Sequence, residues 1–472
     1  MESATGTARA RPSRGDILEL RIDSLAFGGA GVARLDGYVV FVQDGMPGDR
    51  VRAEVEKSKR AYAQARTVEI VEPSPERVDP RAQHPGAPWQ VLPYERQLET
   101  KRAQVEDALR RIGRLEDFEL EPILPAVEQW RYRNKLEYSF GRAADGRLVC
   151  GFHAPGRWEE IVEVTDCLLA SEAGNAARER VVQWCRAQGL SAYDRRTGEG
   201  FLRNLVVREG RRTGELQVRL VTSPGRLDGE SLAGAAEPLA GLLWTQTDSV
   251  AETTQGGETA LLAGRDHLRE EIGGLRMHIA PSAFFQTNTE MAERLYEVAI
   301  DYAKPSGTDR VFDLYCGIGT IGLLLAPRVA ELWGLELIEE AIADAIAAAR
   351  RNEIDNAHFF AGDVRLAMRE LVARAGRPDV LIVDPPRSGL SQKVVRRIIE
   401  AGPRRVVYVS CNPTTLAPNA AQLVEAGYVL RRVRPVDMFP QTPHIECVAL
   451  LERHGSSAPT AAVRVSRGAS GS

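Results

Sequence analysis

A chain of 472 residues with 43% hydrophobic and 27% charged side chains is long enough for two or three domains with cores of their own, which excludes a single small binding module and disorder throughout. Lysine and arginine number 61 against 65 aspartates and glutamates, a net charge of -4, so no overall positive field attracts a polyanion and affinity for nucleic acid has to come from local patches. No stretch approaches the roughly 20 apolar residues that span a bilayer, and the opening residues lack the apolar core of a signal peptide, so a cytoplasmic protein with no membrane association is expected.

Residues 1–13 and 454–472 are rich in Ser, Ala, Gly and Arg without apolar periodicity, and read as flexible tails. Over 14–72, the alternating runs ILELRI, GYVVFV, DRVRAEVE and ARTVEIVE are separated by the turn signals FGGAG, LDG and DGMPGD, which predicts a small five-stranded β-barrel. Between Arg50 and Arg66 this barrel also carries Arg52, Lys57, Lys59 and Arg60 against only Glu54 and Glu56, with Tyr62 among them. Small barrels bind single-stranded nucleic acid with such basic grooves and aromatic platforms. EPSPERVDP reads as a linker.

Residues 73–280 read as an α+β middle domain, with an amphipathic helix at LPYERQLETKRAQVEDALRRIG and paired strands over 132–164. Its run WRYRNKLEYSFG sets Arg131, Arg133 and Lys135 among Trp130, Tyr132 and Tyr138. That mixture suits phosphate contacts and base stacking, and equally an exposed amphipathic strand.

Over 281–453 the apolar runs RVFDLYC, LWGLEL, HFFAGD, DVLIVDPP and RRVVYVSCNP alternate with helical segments such as EEAIADAIAAARRN. This pattern predicts an α/β, Rossmann-like doubly wound sheet, whose ligands bind at the carboxyl ends of the strands. The chemically capable residues lie at those ends. Asp313 opens DLYCGIGTIG, whose glycines let the backbone approach a ligand. Glu336 ends the next strand 23 residues later, near the place where an acidic residue binds ribose hydroxyls, and Asp363 ends the third, where it could accept from an adenine amino group. NAD stays open on these grounds, although GxGxxG is absent and CGIGTIG looks like the S-adenosylmethionine loop of class I methyltransferases.

Asp384-Pro-Pro-Arg387 ends the fourth strand, where aminomethyltransferases carry an Asp or Asn, two prolines and an aromatic; the aromatic is missing here. Ser410-Cys411-Asn412-Pro413 ends the fifth, just before a helix, a position that suits a nucleophilic thiolate. Uracil needs such a group, because carbon 5 accepts a methyl only after a nucleophile has added at carbon 6, and a base must then remove the carbon 5 proton. Glu446, in PHIECVALL at the start of the last apolar strand, is the candidate base.

Together DLYCGIGT, DPPR, SCNP and HIECVALL resemble the 5-methyluridine RNA methyltransferase family. RIDSLAFGGAGVARLDGYVVFVQDGMPGDRVRAEV resembles a TRAM domain, an RNA-binding OB-like barrel. The resemblance implies Cys411 as nucleophile and Glu446 as proton acceptor. It implies Gln286, Tyr315, Glu336, Asp363 and Asp384 as lining for the cofactor or the target base, with Thr320 standing where many relatives have Asn and Phe284 able to stack on a flipped base. The cofactor it implies is S-adenosylmethionine. The partner it implies is RNA, with 23S ribosomal RNA ahead of transfer RNA because the appended barrel is more typical of that branch; no obligate protein partner is inferred. Many relatives hold an iron-sulfur cluster with four cysteines, of which only Cys167 stands here. No cluster and no other metal is therefore expected, and Cys167 reads as a packing residue. The alternatives are a methyltransferase acting on cytosine or an amino group, and a non-catalytic RNA-binding assembly factor.

Overall fold

The computed structural model describes residues 11–249, 254 and 256–454, so nearly all of both expected tails lies outside the described residues. In the amino-terminal barrel, Ile17–Arg21 pairs with Arg50–Ser58 at one edge of the sheet and Ser24–Leu25 pairs with Gly31–Leu35 at the other. The residues between bond to both edges, Ile22 N to Asp49 O and Asp23 N to Val32 O. Ile17 to Leu25 is thus one bent strand that closes a five-stranded barrel, with no open edge left to pair. Alternate residues fill the interior, and Ala33, Ala53, Ala63 and Ala65 keep it narrow. The expected basic groove is largely neutralised: Arg50 pairs with Glu19 and Glu72, Arg52 with Glu69, and Arg66 with Glu56. Lys57, Lys59 and Arg60 remain exposed at one end of the hairpin, beside Tyr62.

The middle sheet has seven strands in the order Arg157–Glu163, Leu148–Ala154, Lys135–Arg142, Leu202–Glu209, Leu216–Thr222, Gly241–Gln246 and Glu258–Gly264. The helices Glu172–Ala187 and Gly229–Ala236 cover one face, burying Leu205, Val207, Val218 and Leu220. Tyr132 and Tyr138 are fully buried here, not exposed for stacking, and the Tyr132 hydroxyl donates to the Pro440 carbonyl at 3.0 Å. Cys167 is also buried, its Sγ 3.2 Å from His84 Nε2. Among the described residues no group of three or more His, Cys, Asp or Glu is placed to hold a metal, and no helix is long and apolar enough to cross a membrane.

The catalytic unit is the expected doubly wound sheet, ordered Ala357–Ala361, Glu331–Glu336, Arg310–Leu314, Val380–Val383, Arg405–Ser410, Glu446–Arg453, Tyr428–Val436 and Glu119–Leu120. The first five strands run parallel, and Glu446–Arg453 inserts antiparallel to both its neighbours. Strand period two divides the apolar residues between the faces. Val311, Val380, Ile382, Val407 and Val409 pack beneath the helix Thr289–Ala303, whereas Phe312, Leu314, Leu381, Val406 and Tyr408 pack beneath Val364–Ala375, Gln392–Ala401 and Pro413–Glu425. One packing relation differs from expectation. The helix Tyr94–Asp107, grouped in sequence with the middle domain, packs with its continuation Ala108–Ile112 against Pro413–Glu425, and Glu119–Leu120 extends the catalytic sheet. An amphipathic helix records that one face is buried but not against what.

This early segment holds the loop 437–445 that leads into Glu446. Lys101 Nζ and Asp437 Oδ1 form a fully buried ion pair at 2.6 Å, the Tyr94 hydroxyl donates to Asp437 Oδ2 at 2.7 Å, and Lys101 also donates to the Phe439 carbonyl at 3.0 Å. Gln97 and Gln441 bond reciprocally, Nε2 to Oε1 at 2.8 Å and backbone N to Oε1 at 2.9 Å. The barrel docks beside the same loop: Leu25 and Met46 cluster with Trp89 and Leu92, and Gly29, with φ +94°, lies so close to Pro443 that a Cβ there would sit 2.9 Å from its ring. Removing one partner of a buried ion pair strands the other charge. Lys101→Met should therefore destabilise the catalytic unit by about 3–5 kcal/mol, read as a lowered urea midpoint; an unchanged midpoint would show that the pair does not hold the loop.

Candidate active site

The parallel strands set their carboxyl ends side by side, because Leu314 is in register with both Leu335 and Val383, and Val383 with Tyr408. Tyr315, Glu336, Asp384 and Cys411 accordingly end or follow adjacent strands on one edge. In the Gly-rich turn Tyr315 takes φ +60° and Gly317 φ +53°, with open space within 4 Å of where a Gly317 Cβ would stand. That open space lets a ligand approach the backbone. The turn is tied to its neighbours by Gly317 N donating to Glu336 Oε2 at 3.2 Å and Gly322 N to Asp313 Oδ2 at 3.0 Å. Asp313 Oδ1 is buried without a hydrogen-bond partner among the described residues.

Glu336 also accepts from Leu337 N at 2.7 Å and Ile338 N at 3.1 Å. Three of the roughly four acceptor positions of its carboxylate are thus engaged by backbone. Asp363 caps the helix Val364–Ala375 by accepting from Arg365 N at 2.8 Å, and its carboxylate is gripped by the Arg365 guanidinium. Thr320 is buried as the first residue of the helix Thr320–Leu325. Gln286 is buried in the turn before Thr289–Ala303, where Asn134 Nδ2 donates to its carbonyl at 2.9 Å. Phe284 is 73% exposed, and it is Phe285 that joins the core.

The remaining pair meets through the antiparallel strand. Ser410 is in register with Cys447, and one further step sets Cys411 across from Glu446. Glu446 is buried, and burial, then the nearby Asp384 carboxylate, holds its carboxyl well above the usual range. Burial pushes Asp384 up to about 7, and burial with the Asp384 charge pushes Asp313 to about 7. The Cys411 thiol is pushed up to about 11, first by burial and then by the Glu446 and Asp384 carboxylates. The helix Pro413–Glu425 begins two residues later, but its amino-terminal dipole does not outweigh two nearby acids.

Four contributors were not singled out from sequence: Arg387, His444, Asn412 and Tyr296. Arg387 lowers the proton affinity of both Cys411 and Glu446, and donates through Nη2 to His444 Nδ1 at 2.7 Å. Burial, then Arg387, lowers His444 to about 4, so its ring is a neutral acceptor at physiological pH. Asn412 donates to the Arg387 carbonyl at 3.0 Å while capping the following helix, which locks the two loops together. Tyr296 is buried beneath Asp384, Asp313 and Glu446, whose charges together with burial raise its phenol far above 10. The signal for Arg387 was in the sequence: a cation three residues past a strand-end Asp, on the edge that carries the cysteine.

Residues 12–68 match the TRAM domain, and residues 93–454 match the family described as tRNA (Uracil-5-)-methyltransferase. An RNA methyltransferase of Halalkalibacterium halodurans is 36% identical over 93% of this chain and 98% of its own length. One from Thermosynechococcus vestitus is 40% identical over the same shares. Among solved structures, the Pyrococcus abyssi tRNA (uracil-54, C5)-methyltransferase in complex with S-adenosyl-L-homocysteine superposes with a TM-score of 0.74, at 30% identity over 92% of this chain and 100% of that one. With a family match that runs through the whole catalytic sheet and relatives aligned nearly end to end, the chain belongs to the tRNA (uracil-5-)-methyltransferase family of RNA-modifying enzymes and carries a TRAM domain ahead of its catalytic unit.

Proposed function

We propose that this enzyme methylates carbon 5 of a uridine in structured RNA, using S-adenosylmethionine and a covalent adduct between Cys411 and carbon 6. The observation that carries the reading is the opposition of Cys411 and Glu446 at the cofactor edge of the sheet, with Arg387 beside both. The residues present fit the cofactor: the open space at Gly317, the Glu336 carboxylate and the Asp313 oxygen without a partner among the described residues lie on one edge. Once bound, it supplies a methyl group made electrophilic by its sulfonium.

The Cys411 sulfur adds to carbon 6, and the electron pair displaced from the ring double bond makes carbon 5 nucleophilic, with negative charge shared onto the carbonyl oxygen. Arg387, always charged, stabilises the thiolate before this step. After carbon 5 has gained its methyl, Glu446 takes the proton from that carbon, the double bond re-forms and the thiolate leaves. A buried carboxylate with raised proton affinity suits that task. Phe284, exposed beside Gln286, is positioned to stack on the extruded base. The match to a tRNA enzyme over 92% of the chain extends into the barrel, so the barrel gives ribosomal RNA no priority over transfer RNA. Both are arms of the test.

With labelled S-adenosylmethionine and each RNA class, Cys411→Ala should form no adduct, whereas Glu446→Gln should transfer methyl but accumulate a slow-migrating protein-RNA band on a denaturing gel. Its turnover should fall by about 100- to 10,000-fold, the usual cost of losing a positioned base. Normal turnover by Cys411→Ala would end the covalent reading. Because the thiolate is the reactive form and the thiol sits near pH 11, the rate of trapping by 5-fluorouridine RNA should still be rising at pH 9, by about tenfold per pH unit; a plateau already reached at neutral pH would contradict that charge balance. Glu336→Ala should weaken S-adenosylmethionine binding by about 1.5–3 kcal/mol in calorimetry, and equal affinity would remove Glu336 from the cofactor site.

A further inference from the structure

The middle sheet holds a cavity of about 570 Å3 whose lining comes from 140–204 alone and includes no residue of the catalytic sheet. A volume in this range suits a single small ligand or nucleotide. At its wall, Asn204 is buried, its Nδ2 donates to Ser139 Oγ at 3.2 Å, and its Oδ1 has no hydrogen-bond partner among the described residues. That oxygen has no accessible surface, so an N–H of a ligand in the cavity reaches it only when the Asn204 side chain turns, and the missing donor is what favours such a contact. Two aromatic rings stand in the same lining: Trp158, 51% exposed, with the Arg195 guanidinium 5.0 Å from its centre, and Tyr193 with that of Arg203 at 3.8 Å. Aromatic rings paired with guanidinium planes are the surfaces on which unpaired bases stack.

One strand runs from the cavity wall to the turn ahead of the catalytic sheet. On the strand Leu202–Glu209, Arg208 donates to the carbonyls of Ala280 and Ala283, at 3.2 and 2.7 Å, and so holds the turn that carries Phe284 and Gln286. Asn204 lies four residues back along the same strand, about 13 Å at the strand rise, and an even separation puts both side chains on one face.

We propose that this cavity is a second nucleotide site, which takes an unpaired base of the RNA near the target uridine. The base recognised carries an exocyclic amino group, as adenine and cytosine do, because that group projects beyond the ring edge to reach a recessed acceptor such as Asn204 Oδ1. Trp158 and Tyr193 supply the stacking. The lining holds four arginines and three carboxylates, a balance that offers weak attraction to a free nucleotide's phosphate and favours a base delivered as part of a chain. The inference rests on the reading that the substrate is RNA.

The test uses the full chain without cofactor, an octamer of adenosine, an octamer of purine riboside that lacks only the amino groups, and AMP. The adenosine octamer should bind about tenfold more tightly than the purine octamer, Asn204→Leu should erase that difference, and the exposed Trp158→Ala should weaken both by about tenfold. Cys411→Ala should bind as the unmodified protein does. Equal affinity for the two octamers, or no effect of Trp158→Ala, overturns the site; AMP that saturates the cavity without displacing the octamer overturns its assignment to RNA. Methyl transfer is read separately: octamer discrimination in an enzyme that methylates no uridine would sink the uridine reading and leave the pocket, whereas uridine methylation with an RNA KM unmoved by Trp158→Ala would sink the pocket alone.

Discussion

In a parallel sheet every strand presents its last residues at the same edge, so the first residue of a strand can reach that edge only if the strand runs backwards. Glu446–Arg453 does so, lying antiparallel between Arg405–Ser410 and Tyr428–Val436. The reversal turns a carboxylate 35 residues downstream of the cysteine into its lateral neighbour, and a slip of one position would send Glu446 to the opposite face. Much of the surrounding architecture protects that register. Helix Tyr94–Asp107 clamps the loop before Glu446 through a charge pair and a reciprocal amide pair.

The electrostatics of the site share one origin. The buried Asp313 and Glu446 and the half-buried Asp384 bear on Tyr296, and each holds its proton more tightly than a carboxylate in water. Arg387 is the cation that bears on Cys411 and Glu446. Such a cluster is poised to receive positive charge, since a cation entering it would favour the ionised acids and be held by them. A sulfonium-bearing cofactor brings that charge, which couples its arrival to the protonation of these three acids.

The catalytic sheet was legible in the sequence because its information is local. Alternation in RVFDL and RVVYVS announces strands buried on both faces, and Asp313, Glu336, Asp384 and Cys411 stand where those strands end. What was not legible depends on partners distant in the chain. The arginines of the barrel look like a binding groove until Glu19, Glu69 and Glu72 are seen beside them. Tyr132 and Tyr138 sit in a run that reads as amphipathic, yet both are core, one bonded to a carbonyl 308 residues away. Arg387 was in plain sight in DPPR, but its role becomes readable only once His444 and Cys411 are known to lie within its reach.

The contact between Gly29 and Pro443 sets a limit on modularity. A barrel is easily imagined as an interchangeable adaptor, traded between relatives to redirect the enzyme to other RNAs. Here its turn leaves no room for a side chain against the loop that ends in Glu446. An exchanged barrel would have to bring a glycine to the same spot or shift the loop that leads to Glu446, so barrels on this scaffold can diversify only around a fixed seam.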